Sequence, residues 1–128
     1  MTAHAMNHFT ILAENVEATC AFYRDLLGFE VGYRPDMGFP GAWLYAGEQA
    51  VLHVVLRNPL PQSRAGVLDH MAFSAIDLLG TLRKLEGRGM RYDLGRQVET
   101  GVWQLFFHDP NGARVELDFP PTEQGPIG

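Results

Sequence analysis

Residues 7–29 read NHFTILAENVEATCAFYRDLLGF, and residues 69–90 read DHMAFSAIDLLGTLRKLEGRGM. Set one above the other, they run alike: a strand, a short polar break, then an amphipathic helix, with histidine as the second residue of each. An internal repeat of this kind governs every later inference about the fold. In the first copy Asn15 is a good helix cap. Cys20, Tyr23 and Leu27, with Phe22 and Leu26 beside them, form an apolar stripe at helical spacing, and Gly28 supplies the stop. In the second copy Asp77 is the cap, Leu78, Leu82 and Leu85 are the stripe, and Gly87 or Gly89 marks the end. Stripes of leucine and aromatic residues at this spacing are core.

Three strand candidates follow each helix: FEVGY, AWLYA and AVLHVVL in the first half, then MRYDLG, VWQLFFH and ARVELDF in the second. The turn signals GEQ and DPNG precede the last strand of each set. The pattern is βαβββ written twice, an α+β chain with repeat 1 over residues 6–56, a linker over 57–68 and repeat 2 over 69–119. Together these make one domain spanning 1–119, and the tail PPTEQGPIG, 120–128, is expected to be loose. The expected architecture is two small curved mixed sheets side by side, helices on the outer faces and a cleft on the inner ones.

The bulk numbers exclude several classes. At 128 residues, 46% of them apolar and 20% charged, the chain suits one globular domain with a core that needs no disulfide or structural zinc. The single cysteine, Cys20, permits no internal bridge and favours a reducing compartment. A formal charge of −5 without a basic block argues against nucleic acid, and the absence of a signal-like start or a run of 18 apolar residues argues against export or a membrane span. The expectation is a cytoplasmic protein.

Period-two geometry explains the histidines. Alternate strand side chains share a face, so Phe9 and Ile11 turn toward the helix while His8, Thr10 and Leu12 face the cleft. Met71 and Phe73 pack while His70, Ala72 and Ser74 face in. On the last strands, Leu52, Val54 and Leu56 take the side opposite to Val51, His53 and Val55, and Val115, Leu117 and Phe119 take the side opposite to Arg114, Glu116 and Asp118. His8 and His53 are 45 residues apart, and His70 and Glu116 are 46 apart, so one half repeats the pair in the other. Pseudo-twofold packing would gather three imidazoles and a carboxylate about one point, a donor mixture suited to Fe(II), Mn(II), Co(II), Ni(II) or Zn(II). One strand histidine alone is more often a satisfied core group, but four ionisable groups buried unpaired would cost several kcal/mol, and a metal removes that cost. His4, in the tail, and His108, beside the DPNG turn, are read as ordinary surface residues.

NHFTILAENVEATCAFYRDLLGF, LDHMAFSAID and FHDPNGARVELDF together resemble the vicinal oxygen chelate superfamily of glyoxalases, extradiol dioxygenases, epimerases, and fosfomycin and bleomycin resistance proteins, over residues 6–119. The resemblance implies the glyoxalase/dioxygenase fold with a metal-containing cleft, a divalent ion held by His8, His70 and Glu116, substrates that chelate through two neighbouring oxygens, and a homodimer. His53 departs from the lyase pattern, which places a glutamate or glutamine there. Proton transfer at carbon beside a carbonyl wants a positioned base, commonly a carboxylate, and Glu116 is wanted as a ligand.

Two histidines and one carboxylate leave open positions on Fe(II) for substrate and dioxygen, with His53 nearby as acid or base or as a fourth ligand. Trp43 and Tyr45 on one strand, and Trp103, Leu105 and Phe107 on its counterpart, offer aromatic walls, and GFPGAW a rim loop. Arg57, Arg34 or Arg96 can hold a substrate carboxylate. The first reading is an Fe(II)-dependent ring-cleaving dioxygenase of a small catechol, hydroquinone or gentisate type of aromatic. A glyoxalase-like lyase or isomerase, a metal-free drug-binding dimer and a thiol transferase of the fosfomycin-resistance kind are the alternatives.

Overall fold

The computed structural model describes residues 1–127. The chain runs β1 (Phe9–Ala13), α1 (Val16–Leu27), β2 (Glu30–Gly32), β3 (Gly41–Ala46), β4 (Gln49–Leu56), then β5 (Met71–Ser74), α2 (Leu78–Gly87), β6 (Asp93–Arg96), β7 (Trp103–His108) and β8 (Arg114–Phe119). Two compact units divide it, Met1–Gln62 and Ser63–Gly128. Each carries a mixed four-stranded sheet, ordered β1-β4-β3-β2 in the first and β5-β8-β7-β6 in the second, with the outer pair β1–β4 or β5–β8 parallel and the rest antiparallel. This is the α+β fold of two βαβββ modules.

The helix ends follow from local chemistry. Asn15 is extended and its side chain accepts from the Ala18 N–H at 2.9 Å, while Gly28 closes α1 at φ 76, a left-handed turn that costs glycine little. Asp77 caps α2 by accepting from Gly80 N at 3.1 Å, although Asp77 itself sits at φ 69. In the first unit α1 buries Cys20, Phe22, Tyr23 and Leu26 beside Ala13, Leu44, Leu52 and Val54. In the second, Leu78, Leu82 and Leu85 of α2 are buried, as are Met71, Leu105, Phe107, Val115, Leu117 and Phe119. Each of the buried Leu, Val, Phe and Met side chains among these contributes about 1.5–3 kcal/mol when removed from water. No described helix is long and apolar enough to cross a membrane.

The tail differs from expectation. The Glu123 carboxylate accepts the backbone N–H of Asp77 at 2.9 Å and of Leu78 at 2.7 Å, its carbonyl accepts Trp103 Nε1–H at 2.9 Å, and Arg96 Nη2 donates to Pro121 O at 2.7 Å. The exposed donors of a helix N-terminus need partners, and a carboxylate is the favoured one. The tail is therefore fastened to the second unit at Pro121 and Glu123, while Ile127 at its end is exposed.

Candidate functional site

His8 and His70 occupy matched places, each one residue before the first strand of its module. The residue ahead of each supplies an oxygen to its Nδ1: Asn7 Oδ1 stands 2.7 Å from His8, and Asp69 Oδ2 stands 2.7 Å from His70. With Nδ1–H donating there, Nε2 is the ring nitrogen left for a further partner. This bracing was legible as the dipeptides NH and DH at matched positions, a signal that strand periodicity passes over.

In the first unit His53 pairs in register with Thr10 on one side and Trp43 on the other. Its ring stacks on His8 with centroids 3.6 Å apart and 11° between planes, and on Trp43 at 4.0 Å and 12°. Because β4 lies between β1 and β3, the two neighbours take opposite faces of the imidazole. Burial, then the nearby His8 and more weakly Arg34, depress the His53 pKa below its ordinary value, against a smaller opposing hydrogen bond to the Ala50 backbone. The ring is thus neutral at pH 7, with its edge left for chemistry.

In the second unit His70 Nε2 faces Glu116 Oε1 at 2.8 Å, and Glu116 is only 6% exposed. Gln104 Nε2 donates to the other carboxylate oxygen at 3.4 Å. Phe106, registered opposite Glu116, meets the His70 ring edge-on at 5.5 Å. Arg114 Nη1 donates to Asp69 Oδ2 at 2.8 Å and lies 4.4 Å over the Phe106 ring. The hydrogen bond from His70, rather than burial, holds the Asp69 carboxyl below its usual range.

Asp118 is the functional candidate that reasoning from sequence left aside, although it placed the residue on the Glu116 face. Desolvation first, then a hydrogen bond and charge repulsion from Glu116, push its pKa up to about 6. Its Oδ1 is buried, and no described residue donates to it. A buried orphan oxygen, a second carboxylate and an imidazole nitrogen on one face form a surplus of acceptors, and a divalent cation suits that donor chemistry. A braced histidine beside a braced carboxylate is also how metal ligands are oriented by their outer neighbours. Among the described residues, however, no group of three or more His, Cys, Asp or Glu side chains stands ready to hold a metal ion. The four expected ligands are seen as two pairs, one in each unit.

The remaining candidates divide by strand parity. Trp43 and Tyr45 lie on the His53 face, where the Tyr45 ring covers Gly32 and its hydroxyl donates to the Tyr33 carbonyl. Phe107 is a correction: it is 2% exposed and registers with Val115 on the core face. Trp103 is another, registering with Phe119 on that same face, where its ring meets Arg96 and the tail. Leu105 is fully buried there too. The β7 residues on the Glu116 face are Gln104, Phe106 and His108. Arg96 is engaged with Gly101 and Pro121 carbonyls, Arg34 with the Phe39 carbonyl and ring, and Arg57 is exposed beyond β4.

Known proteins bear on this geometry. The chain is 32% identical over 121 residues to a protein named Glyoxylase I 4 of Arabidopsis thaliana, covering 88% of this chain and 69% of that one. It is 29% identical over 128 residues to an ethylmalonyl-CoA/methylmalonyl-CoA epimerase of Cereibacter sphaeroides, covering 88% and 96%. Among solved structures, a glyoxalase family protein of Bacillus anthracis superposes with a TM-score of 0.74 at 20% identity, covering 94% of this chain and 98% of that one. A fosfomycin resistance protein of Listeria monocytogenes gives 0.73 at 14%, covering 92% and 94%. The model of the Glyoxalase/Bleomycin resistance protein/Dioxygenase superfamily matches residues 5–117, and the chain belongs to that family.

Proposed function

We propose that the protein is a divalent-metal-dependent lyase or isomerase that moves a proton at a carbon beside a carbonyl or thioester. The observation that carries this reading is the His70–Glu116 pair, 2.8 Å apart and braced from behind by Asp69 and Gln104. His70 and Glu116 would hold the ion, with His8 as the further nitrogen that the family resemblance implies. Bound there, a divalent cation supplies Lewis-acid polarisation of two neighbouring substrate oxygens.

The chain's own residues do the rest. His53, with its pKa lowered by burial and its ring clamped between two others, is held in the neutral form that can accept the proton from carbon and return it. Asp118 provides the carboxylate that the departure at position 53 had put in doubt. Trp43 and Tyr45 present ring surface on the His53 face, and Arg57, exposed beyond β4, is offered to a substrate carboxylate. The names of the glyoxylase and epimerase relatives support this class of chemistry. As for members of the family generally, a homodimer is proposed.

The test is solvent-deuterium incorporation into methylmalonyl-CoA and into the glutathione hemithioacetal of a 2-oxoaldehyde, with Mn(II), Fe(II), Co(II), Ni(II) or Zn(II) supplied to chelator-treated protein. Metal-dependent exchange is expected, lost in His70→Ala and Glu116→Ala with the fold retained. Full turnover by either variant sinks the assignment. His53→Ala should keep metal but exchange about 10²–10⁴-fold more slowly, the usual worth of a positioned acid or base. Metal lost with His53 would make it a ligand instead.

A second reading is kept because rings line both pairs, Trp43 against His53 and Phe106 against His70. It is an Fe(II)-dependent ring-cleaving dioxygenase of small dihydroxylated aromatics. Oxygen uptake with dihydroxybenzenes or dihydroxybenzoates, without deuterium exchange in the other substrates, would favour it.

A further inference from the structure

Asp69 has 76% of its side chain exposed, yet it holds the Nδ1 of a histidine whose other nitrogen faces a nearly buried carboxylate. A carboxylate with that much freedom exchanges its partners with water, and exposed ion pairs alone are worth little. Here Arg114 supplies what is lacking. Its Nη1 meets the same Asp69 oxygen at 2.8 Å, and its guanidinium is steadied over the Phe106 ring at 4.4 Å. Three contacts, Arg114 to Asp69, Asp69 to His70 and His70 to Glu116, thus run in series from the surface inward.

The repeat shows that this is not merely inherited. Thr10 pairs with His53 as Ala72 pairs with Glu116, so position 114 corresponds to position 51, which is valine. Asn7, an uncharged residue, does for His8 what Asp69 does for His70. An anionic brace and a cation to hold it occur together, in the second unit.

We propose that Arg114 is a positioning residue: acting through Asp69, it pins the Nδ1 proton of His70 and so keeps Nε2 aimed at Glu116. The consequence for metal rests on the reading of His70 and Glu116 as ligands, but the pinning itself does not. A ligand histidine whose outer hydrogen bond is lost typically binds its metal about 10–100-fold more weakly.

The experiment compares wild type, Asp69→Ala, Arg114→Gln, Arg114→Met and Arg114→Lys. In ¹⁵N-labelled, metal-free protein, the Nδ1–H resonance of His70 should be sharp and downfield in wild type. It should broaden by solvent exchange in Asp69→Ala, which removes the acceptor, and in Arg114→Gln and Arg114→Met, and return in part in Arg114→Lys, which restores the charge without the planar fork. Zn(II) titration should show about 10–100-fold weaker binding for Asp69→Ala and a smaller loss, roughly 3–10-fold, for Arg114→Gln. No slowly exchanging Nδ1–H in wild type, or one equally sharp in Arg114→Gln, overturns the proposal. If wild type takes up no Zn(II), the proposed function fails, while the resonance comparison still decides the role of Arg114. Should Arg114→Gln unfold, Arg114→Met decides in its place: an Nδ1–H as sharp as in wild type overturns the proposal.

Discussion

His53 and Asp118 show how much a residue's chemistry depends on its neighbours. An imidazole between two parallel rings loses solvent on both faces, which favours its neutral form. Asp118 responds to burial in the opposite sense, since for a carboxyl the neutral form is the protonated one. Its pKa rises from 3.8 to about 6, so between those values the unfolded chain gives up this proton before the folded chain does. Folding stability from this group is therefore full below about pH 4 and falls as the pH rises to 6. Asp118→Asn in chelator-treated protein should raise the melting temperature at pH 7, leave it unchanged near pH 3.5, and flatten the slope between. An unchanged slope in thermal melts over that range would show that Asp118 has no such penalty to relieve.

At the scale of the element, α2 carries an unusual start. Its cap Asp77 has a positive φ, and its third residue, Gly80, leaves room for the Asp77 carboxylate. A Cβ on Gly80 would collide with that carboxylate. Glycine to alanine inside an exposed helix ordinarily stabilises by about 1 kcal/mol. Here the sign should reverse, because the cap worth about 1 kcal/mol has to move aside. Urea denaturation of Gly80→Ala, giving a lower midpoint with the same slope, is the expected result. Strand β7 makes the complementary point. WQLFFH contains apolar residues at both parities, so alternation cannot say which set faces Glu116, and the aromatic pair first assigned to substrate, Trp103 and Phe107, lies on the opposite face.

For the molecule as a whole, the tail is a stabilising part of the second unit. Glu123 satisfies two donors at the start of α2 and its carbonyl holds the Trp103 indole. Hydrogen bonds to a charged group contribute about 1.5–3 kcal/mol each when well made, and less near solvent. Ending the chain at Phe119 should lower stability by roughly 2 kcal/mol and move Trp103 emission to the red, best seen with Trp43→Phe. Glu123→Gln should retain the packing on Trp103 and lose about 1 kcal/mol, the contribution of the negative charge at the helix start. Chemical denaturation and fluorescence of the two variants check both expectations.

The sequence by itself determined the βαβββ repeat, both helix caps, and the core-facing parity of β1, β4, β5 and β8. Those features are local: a cap needs one side chain within reach of its own backbone, and parity needs only apolar residues at every second place. His8, His53, His70 and Glu116 were legible as candidates for the same reason. Only tertiary structure decided which of them touch, that Trp43 clamps His53, that Asp118 crowds Glu116, that Arg114 reaches Asp69, and that the tail is fastened to α2. Each of those depends on strand register or on contacts between distant residues, and such pairings arise from packing rather than from any periodicity along the chain.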